Sequence, residues 1–258
     1  MKVLIFTDSR GQHKGTFQNK KIFTEKLYDY LIKKNISCDL MLCPFKWTST
    51  LDFIQCIEET HLNPDTYDCI ILYTGIVEYS PRPLSNFCDA YYKNNDTISF
   101  NKLILNKHPK IINNKRKFFK KFFGKNNLNV KNHSIDYKGE HTRSLISINM
   151  HEKYVIPYLQ KYNNKLIFIN SNKIVKGWEG NYIKKNPFGR PKNINIIEEY
   201  AKINSNKFKN KIDLLSWSEE DVKKYTVDNM HLSYEGSEYI YNKITLMFEN
   251  LFFQKKVS

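Results

Sequence analysis

Glycine is scarce in this sequence, nine residues in 258, and none lies between Gly15 and Gly75. No glycine-rich loop of the kind whose backbone amides cradle phosphate is present. No apolar stretch approaches the roughly 20 residues that span a bilayer. The N-terminus shows no signal peptide, because the run Val3-Leu4-Ile5-Phe6 after Lys2 gives way at once to a polar turn. The five cysteines, Cys38, Cys43, Cys56, Cys69 and Cys88, show no CxxC spacing and sit mostly among apolar neighbours. An odd count in such contexts points to reduced, buried thiols rather than a disulfide framework. No His, Cys, Asp and Glu cluster has metal-ligand spacing, so neither metal nor cofactor is expected. These absences together lead to the expectation of a cytoplasmic protein.

What is present is a globular composition, 41% hydrophobic and 14% aromatic, in a chain long enough to bury a substantial core. The expectation is one domain over residues 1–258 with an insertion at about 89–143. The formal net charge is +15. It is spread through a general richness in Lys and Asn, which bears on solubility and attraction to anions rather than on a partner. No RNA-binding aromatic motif, zinc spacing or helix-turn-helix signal accompanies it, so specific nucleic-acid binding is not expected.

Residues 2–7 read as a short buried strand ending at Thr7-Asp8-Ser9. Apolar residues at helical spacing, Ile22, Phe23, Leu27, Tyr30 and Leu31, predict a helix from about Thr16 to Lys34. A second strand is expected over 36–43, then a helix over 51–59 capped from among Thr48, Ser49 and Thr50. Cys69-Ile70-Ile71-Leu72-Tyr73 is continuously apolar, as a strand covered on both faces must be. The two prolines of Gly75 to Pro83 make that stretch a loop. After the insertion the pattern predicts a helix over 142–162, a strand over 166–169, a loop over 173–193 and a helix over 194–203. A strand over 212–215 and a C-terminal helix carrying Ile240, Ile244, Met247, Phe248 and Leu251 complete it. This alternation describes a doubly wound α/β fold: a three-layer parallel sheet of about five strands with a basic helical insertion.

The insertion contains Lys115-Arg116-Lys117-Phe118-Phe119-Lys120-Lys121-Phe122-Phe123. Coiled as a helix, it gathers the four phenylalanines on one face with lysines beside them. Three arrangements suit that face: contact of 115–125 with anionic lipid at the inner side of the membrane, docking onto the domain or over its cleft, or a partner protein.

Near the end of the chain Asp228 precedes His231 by three residues, which places a carboxylate within reach of an imidazole. Such a pair needs a hydroxyl or thiol from elsewhere, and Ser9, after the first strand, is the best placed. Asp8-Ser9 after the first strand, Gly75 after the third, and Asp228-x-x-His231 before the last helix resemble the SGNH (GDSL) hydrolase family over nearly the full chain. The resemblance implies a flavodoxin-like α/β fold and a serine esterase or acyltransferase with Ser9 as nucleophile. It makes His231 the general base and later acid, a transfer typically worth 10²–10⁴-fold, and Asp228 its orienter. Asp8 reads as structural. The non-catalytic alternatives are a turn serine, a helix-start histidine and a helix N-terminal aspartate.

The departures lie on the oxyanion side. Thr7 replaces the signature glycine, a mild change. The second-block glycine is missing, which shifts that donor to another backbone amide near Trp47 to Ser49. The third block, normally Gly-x-Asn-Asp, reads Gly75-Ile76-Val77-Glu78, and Val77 cannot donate. Losing one such donor typically costs about 10²–10³ in rate, which leaves a slower enzyme or a substitute. Arg82 is the candidate substitute or anion binder, the alternative being a surface arginine paired with Glu78. Arg10 has the same ambiguity, and its backbone N–H is a further candidate donor. Substrates implied by the family are O-acyl, above all O-acetyl, esters of carbohydrates, an anionic one suiting Arg82 and the basic insertion. The competing reading is a weakened relative that serves as a glycan-binding or assembly module.

Overall fold

The computed structural model describes residues 1–12, 20–45, 47–85, 115–124 and 130–253. In β1 (Lys2–Thr7), every residue from Val3 onward is buried. Leu4 and Phe6 enter one core while Val3 and Ile5 enter the other, as the two-residue period of a strand requires. α1 (Phe23–Lys33) lays Phe23, Leu27 and Leu31 on the second core. It starts seven residues later than its periodicity suggests, and 13–19 lie outside the described residues. β2 (Ser37–Leu42) follows. α2 (Thr50–Glu58) is started by Ser49, whose hydroxyl accepts from the Asp52 N–H while the Asp52 carboxylate accepts from the Ser49 N–H at 2.7 Å. β3 (Cys69–Tyr73) is wholly buried and runs into Gly75 and α3 (Ile76–Tyr79).

The remaining elements are β4 (Arg82–Pro83), α4 (Lys115–Phe123), β5 (Asp136–Tyr137), β6 (Glu140–Arg143), α5 (148–160, with a π-helical turn at His151–Val155) and β7 (Leu166–Ile169). They are followed by α6 (Tyr182–Lys185), α7 (Ile197–Lys207), β8 (Lys211–Ile212), α8 (Glu219–Tyr225) and α9 (Tyr234–Phe248). The five-stranded sheet has the order β2-β1-β3-β7-β8, parallel throughout. α2, α4, α5 and α7 cover one face and α1, α8 and α9 the other. This is the three-layer doubly wound fold that the alternation implied. Because β1 has β2 on one side and β3 on the other, the chain reverses direction across the sheet at the β1/β3 boundary. Open α/β sheets bind ligands outside the carboxyl ends of strands at that switch point.

Four expectations are corrected. The stretch from Gly75 to Pro83, expected as a loop, holds the short helix Ile76–Tyr79 and pairs Arg82–Pro83 as a strand. The helix expected from 142 begins at 148, because Glu140–Arg143 pairs as a strand between β4 and β5 in a small antiparallel sheet. The strand expected over 212–215 is only Lys211–Ile212, since Asp213 caps a 3₁₀ turn at Leu214–Ser216. The insertion therefore contributes strands as well as a helix, and 86–114 and 125–129 lie outside the described residues.

α4 answers the question of its phenylalanine face. Phe118, Phe119 and Phe123 are buried in the first core, and Phe122 packs on the Tyr158 ring at 5.7 Å. Lys115, itself buried, pairs with Asp52 at 2.6 Å, while Lys117, Lys120 and Lys121 face solvent. Docking onto the domain accounts for that face; lipid contact would need it turned outward. Among the described residues no helix is long and apolar enough to cross a membrane. Cys38, Cys43, Cys56 and Cys69 are free, buried thiols, and Cys88 lies outside the described residues. Burial pushes the Cys38 thiol up to about 12, which leaves it an inert hydrophobe.

Candidate active site

At the carboxyl end of β1 the backbone tightens into a 3₁₀ turn, Ser9–Gly11. The Asp8 carboxylate holds the turn by accepting from the Arg10 N–H at 2.9 Å. Only glycine fits at position 11, because a Cβ there would meet Thr7 Oγ1 at 2.2 Å. Thr7 is thus accommodated by its neighbour four residues on. The result is Ser9 displayed at the sheet edge, on the switch point.

His231 and Asp228 arrive on the loop between α8 and α9. Asn229 stands at φ 70°, a left-handed conformation that Asn tolerates better than most residues. Its side chain accepts from the Val175 N–H and donates to the Val175 and Trp178 carbonyls. The Asp228 carboxylate accepts from the His231 and Met230 amides at 2.7 and 3.2 Å through one oxygen. Its other oxygen stands 2.8 Å from His231 Nδ1. On the far side of the ring, His231 Nε2 is 3.1 Å from Ser9 Oγ. Burial opposes the Asp228 charge, but the hydrogen bonds and charge of His231, with Arg190 nearby, outweigh it and hold the carboxyl well below the usual range. An ionised carboxylate only accepts, so Nδ1 carries the ring proton and Nε2 is the acceptor facing the serine hydroxyl. The structure therefore brings together Ser9, His231 and Asp228 from opposite ends of the chain.

A cavity of about 490 Å³ opens beside Ser9 and His231. Trp47, Ile76, Val77, Pro191, Ile194 and Met230 give it a mainly apolar wall, and Arg82 and Arg190 its two cations. Arg82 lies over the Trp47 ring at 4.1 Å. Gly75 has φ 118°, and a Cβ there would stand 2.5 Å from the Tyr79 ring, so the turn into α3 requires glycine.

One expectation about this side fails and another is narrowed. Arg10 does not face the cavity: its guanidinium is fully buried, paired with Asp8 at 2.8 Å, bonded to Ser171 Oγ at 3.0 Å and laid over the Tyr73 ring. Its amide is already bound to Asp8, so neither group is placed as an oxyanion donor. In the Trp47 to Ser49 stretch, the Thr48 N–H goes to the Phe45 carbonyl and the Ser49 N–H to Asp52. Glu78, weighed as a surface partner for Arg82, is fully buried and accepts from the Thr50 N–H at 2.9 Å. Burial is the main force that pushes its carboxyl up to about 7, the Thr50 hydrogen bonds opposing and the Asp8 charge adding.

Arg190 is the site residue that the sequence did not disclose. Its signal was slight, one arginine within a Gly- and Pro-containing loop, yet it lines the cavity and touches the Asp228 carbonyl.

No family model matches the sequence, and no curated protein matches it. Among solved structures, the lipase/acylhydrolase from Enterococcus faecalis aligns over 96% of this chain and 95% of its own, at 11% identity and a TM-score of 0.50. The chain shares the α/β fold of that structure. An acetyl xylan esterase (17% identity, 96% and 99% of the two chains, TM-score 0.43) and TesA (6%, 97% and 99%, 0.44) are also similar. In this chain the carboxyl ends of β1 and β3 and the segment before α9 carry Ser9, Gly75 and Asp228 with His231.

Proposed function

We propose that this protein is a serine-dependent ester hydrolase or O-acyltransferase. The observation that carries the reading is the continuous chain from Ser9 Oγ to His231 Nε2 at 3.1 Å and from His231 Nδ1 to Asp228 Oδ2 at 2.8 Å, beside an open cavity. Ser9 Oγ attacks the ester carbonyl carbon as its proton passes to His231 Nε2. The C=O electrons move onto oxygen, and the Ser9 and Gly75 amides are the proposed donors to that oxyanion. Collapse expels the alkoxide, which takes from His231 the proton that Ser9 gave up, and leaves an acyl-Ser9. Water or a second hydroxyl, deprotonated by His231, then attacks the acyl carbon, and the departing Ser9 Oγ takes that proton from His231 as the acyl group leaves. Asp228 holds the ring tautomer and stabilises the imidazolium without being protonated itself.

The proposed substrate is an O-acyl, foremost O-acetyl, ester of a carbohydrate or glycoconjugate bearing negative charge, handled in the cytoplasm. The cavity is far larger than an acetyl group, which leaves room for the alcohol component, and Arg82 and Arg190 on its wall suit a carboxylate or phosphate on that component. The test is hydrolysis of an activated acetyl ester by the wild-type protein against Ser9→Ala, at equal concentration. Turnover that Ser9→Ala abolishes supports the enzyme reading; equal rates refute it.

One observation favours a second reading, a glycan-binding or assembly module: Val77, whose side chain cannot donate, stands in the cavity wall. That reading predicts saturable binding of an acidic oligosaccharide with no acyl-Ser9 formed.

A further inference from the structure

Arg190 is tied to the Asp228–His231 loop by more contacts than a wall residue needs. One guanidinium nitrogen, Nη2, donates to the Asp228 carbonyl oxygen at 2.6 Å and stands 3.4 Å from Asp228 Oδ2, the oxygen facing His231 Nδ1. Its partner Nη1 reaches the Met230 sulfur at 3.0 Å. The Arg190 side chain is 7% exposed, against 12% for Asp228. It is sandwiched with the Tyr182 ring at 3.8 Å, and its Nε lies 3.5 Å from Glu179 Oε2.

The surroundings place this side chain rather than leaving it to rotate. Gly189, at φ 66°, closes a turn on the Asn186 carbonyl. The Gly189 carbonyl accepts from Tyr137 of β5 and from Asn186 Nδ2. Upstream, a Cβ at Gly180 would come within 2.3 Å of the Val227 carbonyl oxygen, and the Asn181 N–H donates to that oxygen at 2.8 Å. The loop of 173–193 is therefore sewn to the backbone just before Asp228 as well as to Asp228 itself.

We infer that Arg190 is a positioning residue for the triad carboxylate: it fixes the Asp228 carboxylate against His231 and sets the charge environment in which the imidazole works. The inference rests on the esterase reading above. A planar guanidinium spreads its donors over a rigid fork, here Nη2 toward the Asp228 carbonyl oxygen and Oδ2 and Nη1 toward the Met230 sulfur, whereas an ammonium on a flexible stem fixes fewer of these contacts at once. Among the described residues, the charged groups near His231 include Asp228 beside it, Arg190 and Glu179 behind Asp228, the self-compensated Asp8–Arg10 pair beneath Ser9, and Arg82 on the wall of the same cavity. A cation behind the carboxylate weakens its attraction for a protonated imidazole, so removing that cation favours the imidazolium.

The test compares Arg190→Gln and Arg190→Lys with the wild-type protein on a small neutral ester, after thermal melts confirm that each variant is folded. For Arg190→Gln, kcat falls on the order of tenfold or more, the equivalent of one strong hydrogen bond. KM stays nearly constant, and the acid limb of the kcat/KM profile moves to higher pH. Arg190→Lys keeps the acid limb near its wild-type position and recovers part of kcat. The His231 ring is titrated by NMR in Ser9→Ala and in Ser9→Ala with Arg190→Gln, where no turnover is needed. A titration that moves upward in the second protein supports the inference, and one that does not move overturns it. A KM effect alone would make Arg190 a substrate anchor and overturn it too. Absence of turnover in the wild-type protein with a shifted NMR titration would count against the esterase reading and not against this one.

Discussion

Replacing Asp228 with Asn puts the most direct strain on the proposed geometry while changing the side chain's size little. In the native site one Asp228 oxygen accepts two backbone N–H groups, from Met230 and His231, and the other faces His231 Nδ1 at 2.8 Å. An asparagine satisfies the two amides with its carbonyl oxygen, which leaves its NH₂ group pointing at Nδ1. The imidazole must then accept at Nδ1 and carry its proton on Nε2, 3.1 Å from Ser9 Oγ. In that tautomer it cannot take the serine proton. In the Ser-His-Asp protease template this change lowers kcat about 10⁴-fold, which at about 1.4 kcal/mol per factor of ten is about 5.5 kcal/mol of barrier. The assay is kcat for an activated acetyl ester, run with a thermal melt that should differ from wild type by only a few degrees because the backbone bonds persist. A loss smaller than tenfold in a folded protein would refute the tautomer argument.

Two further outcomes follow from the same structure. Val77→Asn restores a side-chain donor on the cavity wall, and kcat on the same ester should rise, up to about 10²-fold if the amide reaches the oxyanion; no gain would show that another group already occupies that place. Glu78 couples stability to pH. Its carboxyl titrates at about 7 in the folded protein, above an ordinary unfolded carboxylate near 4.3. Between these values the folded state holds a proton that the unfolded state has lost, so stability falls as pH rises through this window. Melting temperatures from pH 5 to 8 should show Glu78→Gln losing less than wild type, and parallel curves would refute the burial argument.

What the sequence disclosed and what it withheld divide by the range of the interaction. β1 and β3 announced themselves because a strand covered on both faces must be apolar throughout, and Val3 to Phe6 and Cys69 to Tyr73 are. Ser9 was legible because it follows such a strand, and Asp228 and His231 because their Asp-x-x-His spacing stands just before the last helix, at the edge where a doubly wound sheet collects its loops. Arg10 misled through adjacency: it follows Ser9 in the chain, but a 3₁₀ turn sends its side chain inward to Asp8. Arg190 escaped notice for the opposite reason, since its partner Asp228 lies 38 residues onward and only the fold sets the two together. The strand at 140–143 was hidden likewise, because its pairing with Arg82 and Pro83 spans the insertion. The phenylalanines of α4 show a face but not its destination, and Tyr154 and Tyr158 of α5 supply it.

The central claim is that the Ser9 hydroxyl is an activated nucleophile. A fluorophosphonate reports this directly, because it phosphonylates a serine only where a base removes the hydroxyl proton. Incubation with the probe, followed by peptide mapping in a mass spectrometer, should place one adduct on Ser9, absent from Ser9→Ala and strongly reduced in His231→Ala. A wild-type protein that remains unlabelled at Ser9, or labels there equally well without His231, would contradict the account.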